Sequence, residues 1–177
     1  MKRIILMSIL SFVMLSLYSQ SCQDGNHPHA IDLGLPSGIK WACCNVGASS
    51  PSGYGDSFAW SNTYDVARSK WGSAWSVPSD KQMEEMLAYT QSAWTTVNGV
   101  NGRLFRSKVN GNIIFLPAAG FTQGYWEGRG SGSEGVYWTS SAYPGTGDGC
   151  LISVTADRVK QYNADSSIKM SIRPIRK

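Results

Sequence analysis

Trp75-Ser76-Val77-Pro78-Ser79-Asp80-Lys81-Gln82-Met83-Glu84-Glu85-Met86-Leu87 orients the whole chain, because a helix start can be read in it residue by residue. Ser79 stands three residues before Gln82, the spacing of a capping box: the hydroxyl accepts a free backbone N–H and the amide reaches back to the cap. Asp80, Glu84 and Glu85 complement the positive end of the helix. Met83, Met86, Leu87, Thr90 and Trp94 recur at helical spacing, which predicts a helix over about 79–93 with one buried stripe. The methionines read as core filler.

Downstream the pattern changes to short strands. Asn98-Gly99, Asn101-Gly102 and Asn110-Gly111 are turn dipeptides, and Asn110-Gly111 between Leu104–Val109 and Asn112–Leu116 predicts a hairpin. Further strands are expected near Val136–Ser141, Cys150–Thr155, Arg158–Tyr162 and Ile168–Ile172. Gly124 to Gly135 reads as a glycine-rich loop. Upstream, strands are expected at Ile31–Leu35 and Ile39–Cys44, with a loop from Asn45 to Gly55 and a possible short helix near 64–70. The class is α+β.

The first residues stand apart from this domain. Lys2 and Arg3 precede an apolar run from Ile4 to Tyr18, followed by Ser19, Gln20, Ser21 and Cys22, the layout of an export signal. That run is shorter than the roughly 20 residues a spanning helix needs. Ser21-Cys22 resembles a bacterial lipoprotein cleavage site, which would make Cys22 the lipidated N-terminus and the chain an outer-membrane or cell-surface lipoprotein; ordinary cleavage would leave it secreted or periplasmic. The division is therefore a signal over 1–21, a tether over 22–29 and one domain over 30–177.

The whole chain carries 16 Lys and Arg against 12 Asp and Glu. Lys2 and Arg3 leave with the signal, so 14 face the same 12 acids, and no nucleic-acid partner is expected from so weak and scattered a basic balance. Cys43, Cys44 and Cys150 remain after Cys22. An odd number leaves one thiol over, and whether Cys43 or Cys44 pairs with Cys150 stays open. His27 and His29 have no partner at metal spacing, so no metal is expected. Gly128-x-Gly130-x-Gly132 precedes no helical pattern and so is no phosphate loop. Gly147-Asp148-Gly149 supplies a single carboxylate, too few oxygens for calcium. No cofactor is expected.

Taken in order, Ala30-Ile31-Asp32-Leu33-Gly34-Leu35-Pro36-Ser37-Gly38-Ile39-Lys40-Trp41, Trp71-Gly72-x-x-Trp75-x-Val77-Pro78-Ser79, Asn98-Gly99-Val100-Asn101-Gly102, Phe115–Gly120, Tyr137–Ser141 and Ile172-Arg173-Pro174 resemble the Fibrobacter succinogenes major paralogous domain family of exported bacterial modules. That family is similar, at a distance, to formylglycine-generating enzymes. The resemblance implies a C-type-lectin-like fold whose N- and C-terminal strands close together, here Ile31–Leu35 with Ile168–Ile172. The calcium-dependent lectin triplets Glu-Pro-Asn and Trp-Asn-Asp do not occur, and the paired cysteines of the enzymes have no counterpart in the C-terminal half.

These readings lead to the expectation of a non-catalytic, surface-anchored binding module for a protein or glycan. Its face is expected at Gly124–Gly135, Tyr143–Gly149 and the strand pair Ser153–Asp165, with Tyr143, Asp148, Arg158, Gln161, Tyr162, Asn163 and Asp165 as contact residues, since aromatic and adaptable polar groups make good contacts at low entropic cost. The alternative is a structural or accessory subunit of a surface or fimbrial assembly; an enzyme related to the formylglycine-generating group ranks below both.

Overall fold

The computed structural model describes residues 30–177. The signal, the tether and Cys22 lie outside the described residues. In chain order the elements are β1 (Ala30–Asp32), β2 (Lys40–Ala42), α1 (Val66–Trp71), β3 (Trp75–Ser76), α2 (Asp80–Tyr89), β4 (Thr90–Val97), β5 (Val100–Ser107), β6 (Ile113–Pro117), β7 (Phe121–Gln123), β8 (Trp126–Arg129), β9 (Glu134–Ala142), β10 (Gly149–Thr155), β11 (Val159–Ala164), β12 (Lys169–Met170) and β13 (Ile175–Arg176). The strands form four antiparallel sheets, ordered β1-β2-β13-β3, β11-β10-β9, β12-β7-β8 and β4-β5-β6. The α+β class expected from the sequence is what the chain adopts.

The capping box is complete. Ser79 accepts from the Gln82 backbone N–H, and the Gln82 side chain accepts from the Ser79 N–H at 2.8 Å. The helix ends earlier than its periodicity predicts, at Tyr89 instead of residue 93. Thr90 explains the stop: its hydroxyl donates to the Met86 carbonyl at 2.8 Å, satisfying one of the orphan acceptors of the last turn. From Thr90 the chain is extended and pairs residue by residue with β5, from Thr90 opposite Ser107 to Val97 opposite Val100. Trp94 therefore belongs to a strand, and its helical spacing from Met83 and Met86 is coincidental. The turn that drives this hairpin is Asn98-Gly99, both at positive φ (50° and 79°), the geometry whose twist matches the paired strands. The Asn110-Gly111 hairpin also forms, joining β5 to β6, but through residues 108–112 instead of a two-residue turn.

The central sheet is buried on both faces. Tyr137 on β9 lies opposite Ile152 on β10, and Trp138 lies opposite Leu151, so successive residues point to different cores. On one side Tyr137, Ile152 and Val154 pack with Met83 and Met86 of α2 and with Trp41, Phe105, Leu116 and Ile175. On the other, Val136, Trp138 and Leu151 pack with Val46, Val66, Met170 and Ile172. Both faces being covered, the strands read as near-continuous apolar runs, not as alternation.

The two ends of the domain do close together, but through other residues than expected. β13 inserts between β2 and β3, with Ile175 opposite Trp41 and Ser76. The expected closing strand Ile168–Ile172 contributes only β12, which pairs with β7, and its following residues run beside the 42–60 segment through Val46 N–H to Ile172 carbonyl at 3.0 Å. The short core of Pro-Ile after Arg173 is what reaches the N-terminal sheet. Likewise Gly124–Gly135 is not a plain loop: β8 pairs with β7 across Gly124-Tyr125.

Beneath these sheets lies a buried polar hub. Arg173, fully buried, donates to Asn45 Oδ1 at 2.8 Å, to the Ala42 carbonyl at 3.1 Å and to the Phe115 carbonyl at 2.8 Å. Tyr137 donates its hydroxyl to the Pro117 carbonyl at 2.6 Å. Burial pushes the Tyr137 phenol up to about 12 from its ordinary 10.0, against the pull of nearby Arg173. Cys150 is a buried thiol, with neither Cys43 nor Cys44 bridged to it, and burial followed by the neighbouring Asp80 pushes it up to about 11 from 9.0. A thiol held protonated is a poor nucleophile.

Both groups make the fold sensitive to alkali. Each is an acid whose folded pKa lies above its unfolded value, so between the two values the folded state holds a proton that the unfolded state has lost, and stability falls as pH rises. The loss is expected to begin near pH 9 with Cys150 and to steepen above pH 10 with Tyr137, at up to about 1.4 kcal/mol per pH unit for each group. Urea unfolding between pH 8 and 11 measures it; in Cys150→Ala the fall should begin a unit later, and a flat profile would contradict the burial of both groups.

Candidate functional site

The seven expected contact residues are spread over the β9–β10 connection and the β10–β11 hairpin with the turn after it. Among the described residues β11 is an edge of the central sheet, paired only with β10. At one end, Tyr143 is 45% exposed and Asn163 donates to Asp148 Oδ2 at 2.9 Å, so Tyr143, Asp148 and Asn163 are brought together where the chain leaves β9 and enters β10. Arg158 is at the opposite end, closing the turn after β10: its N–H reaches the Thr155 hydroxyl and its carbonyl accepts from Thr155 N–H at 2.9 Å. Asn163 is five positions along the chain from Arg158, about 17 Å at the strand rise.

The remaining three divide between structure and surface. Gln161 lies opposite Ile152, on the side of the α2 core, and its amide nitrogen is buried without a hydrogen-bond partner. The residue as a whole is half-buried. Tyr162 is displayed at 39% exposure on the other face, with the Lys160 ammonium 4.9 Å from its ring centre. Asp165 closes its own turn by accepting from Ser167 N–H at 2.8 Å, and the Ser167 hydroxyl first, with this N–H second, holds its carboxyl below the usual range.

A different surface gathers more of the chemistry of recognition. The β7–β8 hairpin carries Tyr125 and Trp126 at its tip, 104% and 70% exposed, and large aromatics are seldom so bare on a folded domain. Beside them an open groove of about 740 Å³ runs between residues 54–58, the strand β7 and the start of β12. Phe58 and Phe121 supply apolar surface in it, Tyr54 an exposed phenol, and Asp56, Glu127 and Lys169 the charges. The hairpin is held in place by the Arg129 guanidinium, 5.7 Å over the Phe121 ring and 3.4 Å from the Gln123 side-chain oxygen. At the other end of β7, Gly120 N–H donates to the Glu134 carbonyl at 2.8 Å.

Sequence reading placed the segment Gly124–Gly135 on the binding face without singling out these side chains. The signal was present: Gly124-Tyr125-Trp126-Glu127-Gly128 sets two large aromatics between turn residues, where no core can claim them. Tyr54, Asp56 and Lys169 had no such signal, because they meet the hairpin only through tertiary packing. Among the described residues, no group of three or more His, Cys, Asp or Glu is placed to hold a metal ion, and no helix is long and apolar enough to cross a membrane.

No protein-family model, curated protein or solved structure matches the chain.

Proposed function

We propose that this chain is a non-catalytic binding module, anchored at the cell surface through Cys22, that takes a glycan in the groove beside the β7–β8 hairpin. The reading belongs with the resemblance to exported lectin-like modules of the Fibrobacter succinogenes major paralogous domain family. The observation that carries it is the bare pair Tyr125 and Trp126 at the tip of the hairpin whose Phe121 and Glu127 line a groove of aromatic, charged and small polar residues. Sugar rings present flat C–H faces and a rim of hydroxyls. Aromatic faces take the first, while Asp56, Glu127 and Lys169 accept from or donate to the second. Tyr and Trp also have few rotatable bonds to immobilise on binding.

An immobilised glycan panel probed with residues 23–177 tests this. Saturable binding is expected, and Trp126→Ala combined with Tyr125→Ala should weaken it by at least about thirtyfold, the scale of a central aromatic anchor. The melting temperature should hardly move, because both side chains are already in water. Binding left intact by this pair but lost on substituting Tyr143 and Asn163 would move the site to the β11 edge. A domain that binds no glycan and co-purifies only within a larger assembly would favour an accessory-subunit role.

A further inference from the structure

The charge of the domain is not spread evenly. Residues 30–177 carry 14 Lys and Arg against 11 Asp and Glu. Five of the basic residues, Lys40, Arg68, Lys70, Arg176 and Lys177, belong to the sheet β1-β2-β13-β3 and the helix α1 that covers it, together with two of the acids, Asp32 and Asp65. Setting those five and two aside leaves nine of each sign on the rest of the domain. All of its net positive charge is therefore at this end.

The register puts Lys40, Arg176 and, opposite Lys40, Asp32 on one side of the sheet. Ile175 opposes Trp41, and both are buried in the α2 core, so their neighbours Arg176 and Lys40, also opposite one another, point outward. Arg176 lies 6.0 Å over the Trp75 ring, and Trp75 meets Trp71 of α1 edge-on at 5.3 Å. α1 packs on this outward face through Ala67 against Ala42 and Trp75, leaving Arg68 and Lys70 exposed. The two acids are already engaged: Asp65 caps α1 by accepting from Arg68 N–H, and Asp32 accepts from Gly34 N–H. Tyr64, 54% exposed, precedes the helix at the same end.

We infer that this end of the domain is a docking surface for a bilayer of anionic phospholipid, with the cationic side chains on headgroup phosphates and Tyr64 at the interface. Basic residues with interfacial aromatics are the combination a charged membrane surface selects. The chain also enters the domain here, since β1 begins at Ala30 in this sheet. The eight residues from Cys22 to His29 span at most about 28 Å when extended, so a lipid on Cys22 would hold this end within reach of the bilayer. The contact itself requires no lipid on Cys22 and does not involve the groove.

The test uses unlipidated residues 23–177, which contain every strand, helix and core cluster described above, and vesicles of phosphatidylglycerol mixed with phosphatidylcholine. Sedimentation with these vesicles is expected, little with phosphatidylcholine alone, and loss of binding at high salt as the charges are screened. Lys40→Gln, Arg68→Gln, Lys70→Gln and Lys177→Gln together should weaken binding on the order of several hundredfold, at roughly fivefold per charge near an anionic surface. Lys81→Gln, Arg158→Gln and Lys160→Gln, on other faces, should leave it within a few-fold, as should the Tyr125 and Trp126 alanine pair. Equal binding to phosphatidylcholine, or no loss in the fourfold variant with its circular dichroism melt intact, would overturn the assignment. So would tighter binding to double-stranded DNA than to the vesicles, which would give the patch to a soluble polyanion.

Discussion

Arg173→Ala is expected to remove about 3–5 kcal/mol of unfolding free energy, a large share of the roughly 5–15 kcal/mol that holds a domain folded. The guanidinium is wholly buried and its planar fork joins three separate segments: the end of β2 at Ala42, the loop after it at Asn45, and β6 at Phe115. Truncation leaves those acceptors desolvated, and each unsatisfied buried group costs about 1–3 kcal/mol, before the cavity is counted. Arg173→Lys keeps the charge but replaces the fork with a point donor on a flexible stem, so it should still lose roughly half as much. The readout beyond stability is Tyr137. The charge of Arg173 is the main influence lowering its phenol pKa against burial, so in folded Arg173→Ala the phenol should titrate higher still, and in Arg173→Lys less so. A variant with an unchanged urea midpoint would mean that the hub is not a stabilising element.

Gly120→Ala is the second large effect, at about 3 kcal/mol or roughly 6–12 °C in melting temperature. Two independent penalties meet at this residue. Its φ of +68° is a conformation alanine adopts at a cost of about 1–3 kcal/mol. A Cβ there would also approach the Arg129 carbonyl oxygen to 2.2 Å and the Ser131 nitrogen to 2.7 Å, backbone atoms that cannot swing aside. Relief requires β8 to move away from β7, and β8 forms the lip of the groove, so glycan binding should fall with stability. Gly124→Ala separates the two causes. It shares the positive φ, at +59°, but its Cβ would meet nothing within 4 Å, so it should cost only the conformational part, about 1 kcal/mol. Equal losses at the two positions would show that strain alone matters at Gly120.

What the sequence made legible was local. Ser79 and Gln82 define a helix start by their own chemistry, and Asn98-Gly99 and Asn110-Gly111 mark hairpins wherever the strands later pack. What it hid depends on residues far apart. The stripe Met83, Met86, Thr90, Trp94 is a valid helical pattern, and only the eight-residue pairing of β4 with β5 overrides it after Tyr89. Ile172-Arg173-Pro174 reads as a strand motif, with nothing beside it to say that Asn45 and Phe115 would surround its cation. The expected contact residues follow the strand pair in sequence, and the six-residue strand puts Arg158 and Asn163 at opposite ends and half-buries Gln161 opposite Ile152. The groove could not be assembled at all, because Asp56 and Lys169 come from distant turns.

The position of β13 has a consequence for how the chain acquires its shape. It is an inner strand of its sheet, flanked by β2 and β3, whose residues precede it by about a hundred positions or more. Until residue 176 is free, Trp41 and Trp75 belong to a sheet whose middle is missing, and the core beneath lacks Ile175. Pairings that span such distances are slow to form, and they come last. A nascent or threading chain therefore keeps the gap between β2 and β3 open, and closes it only when β13 slides in.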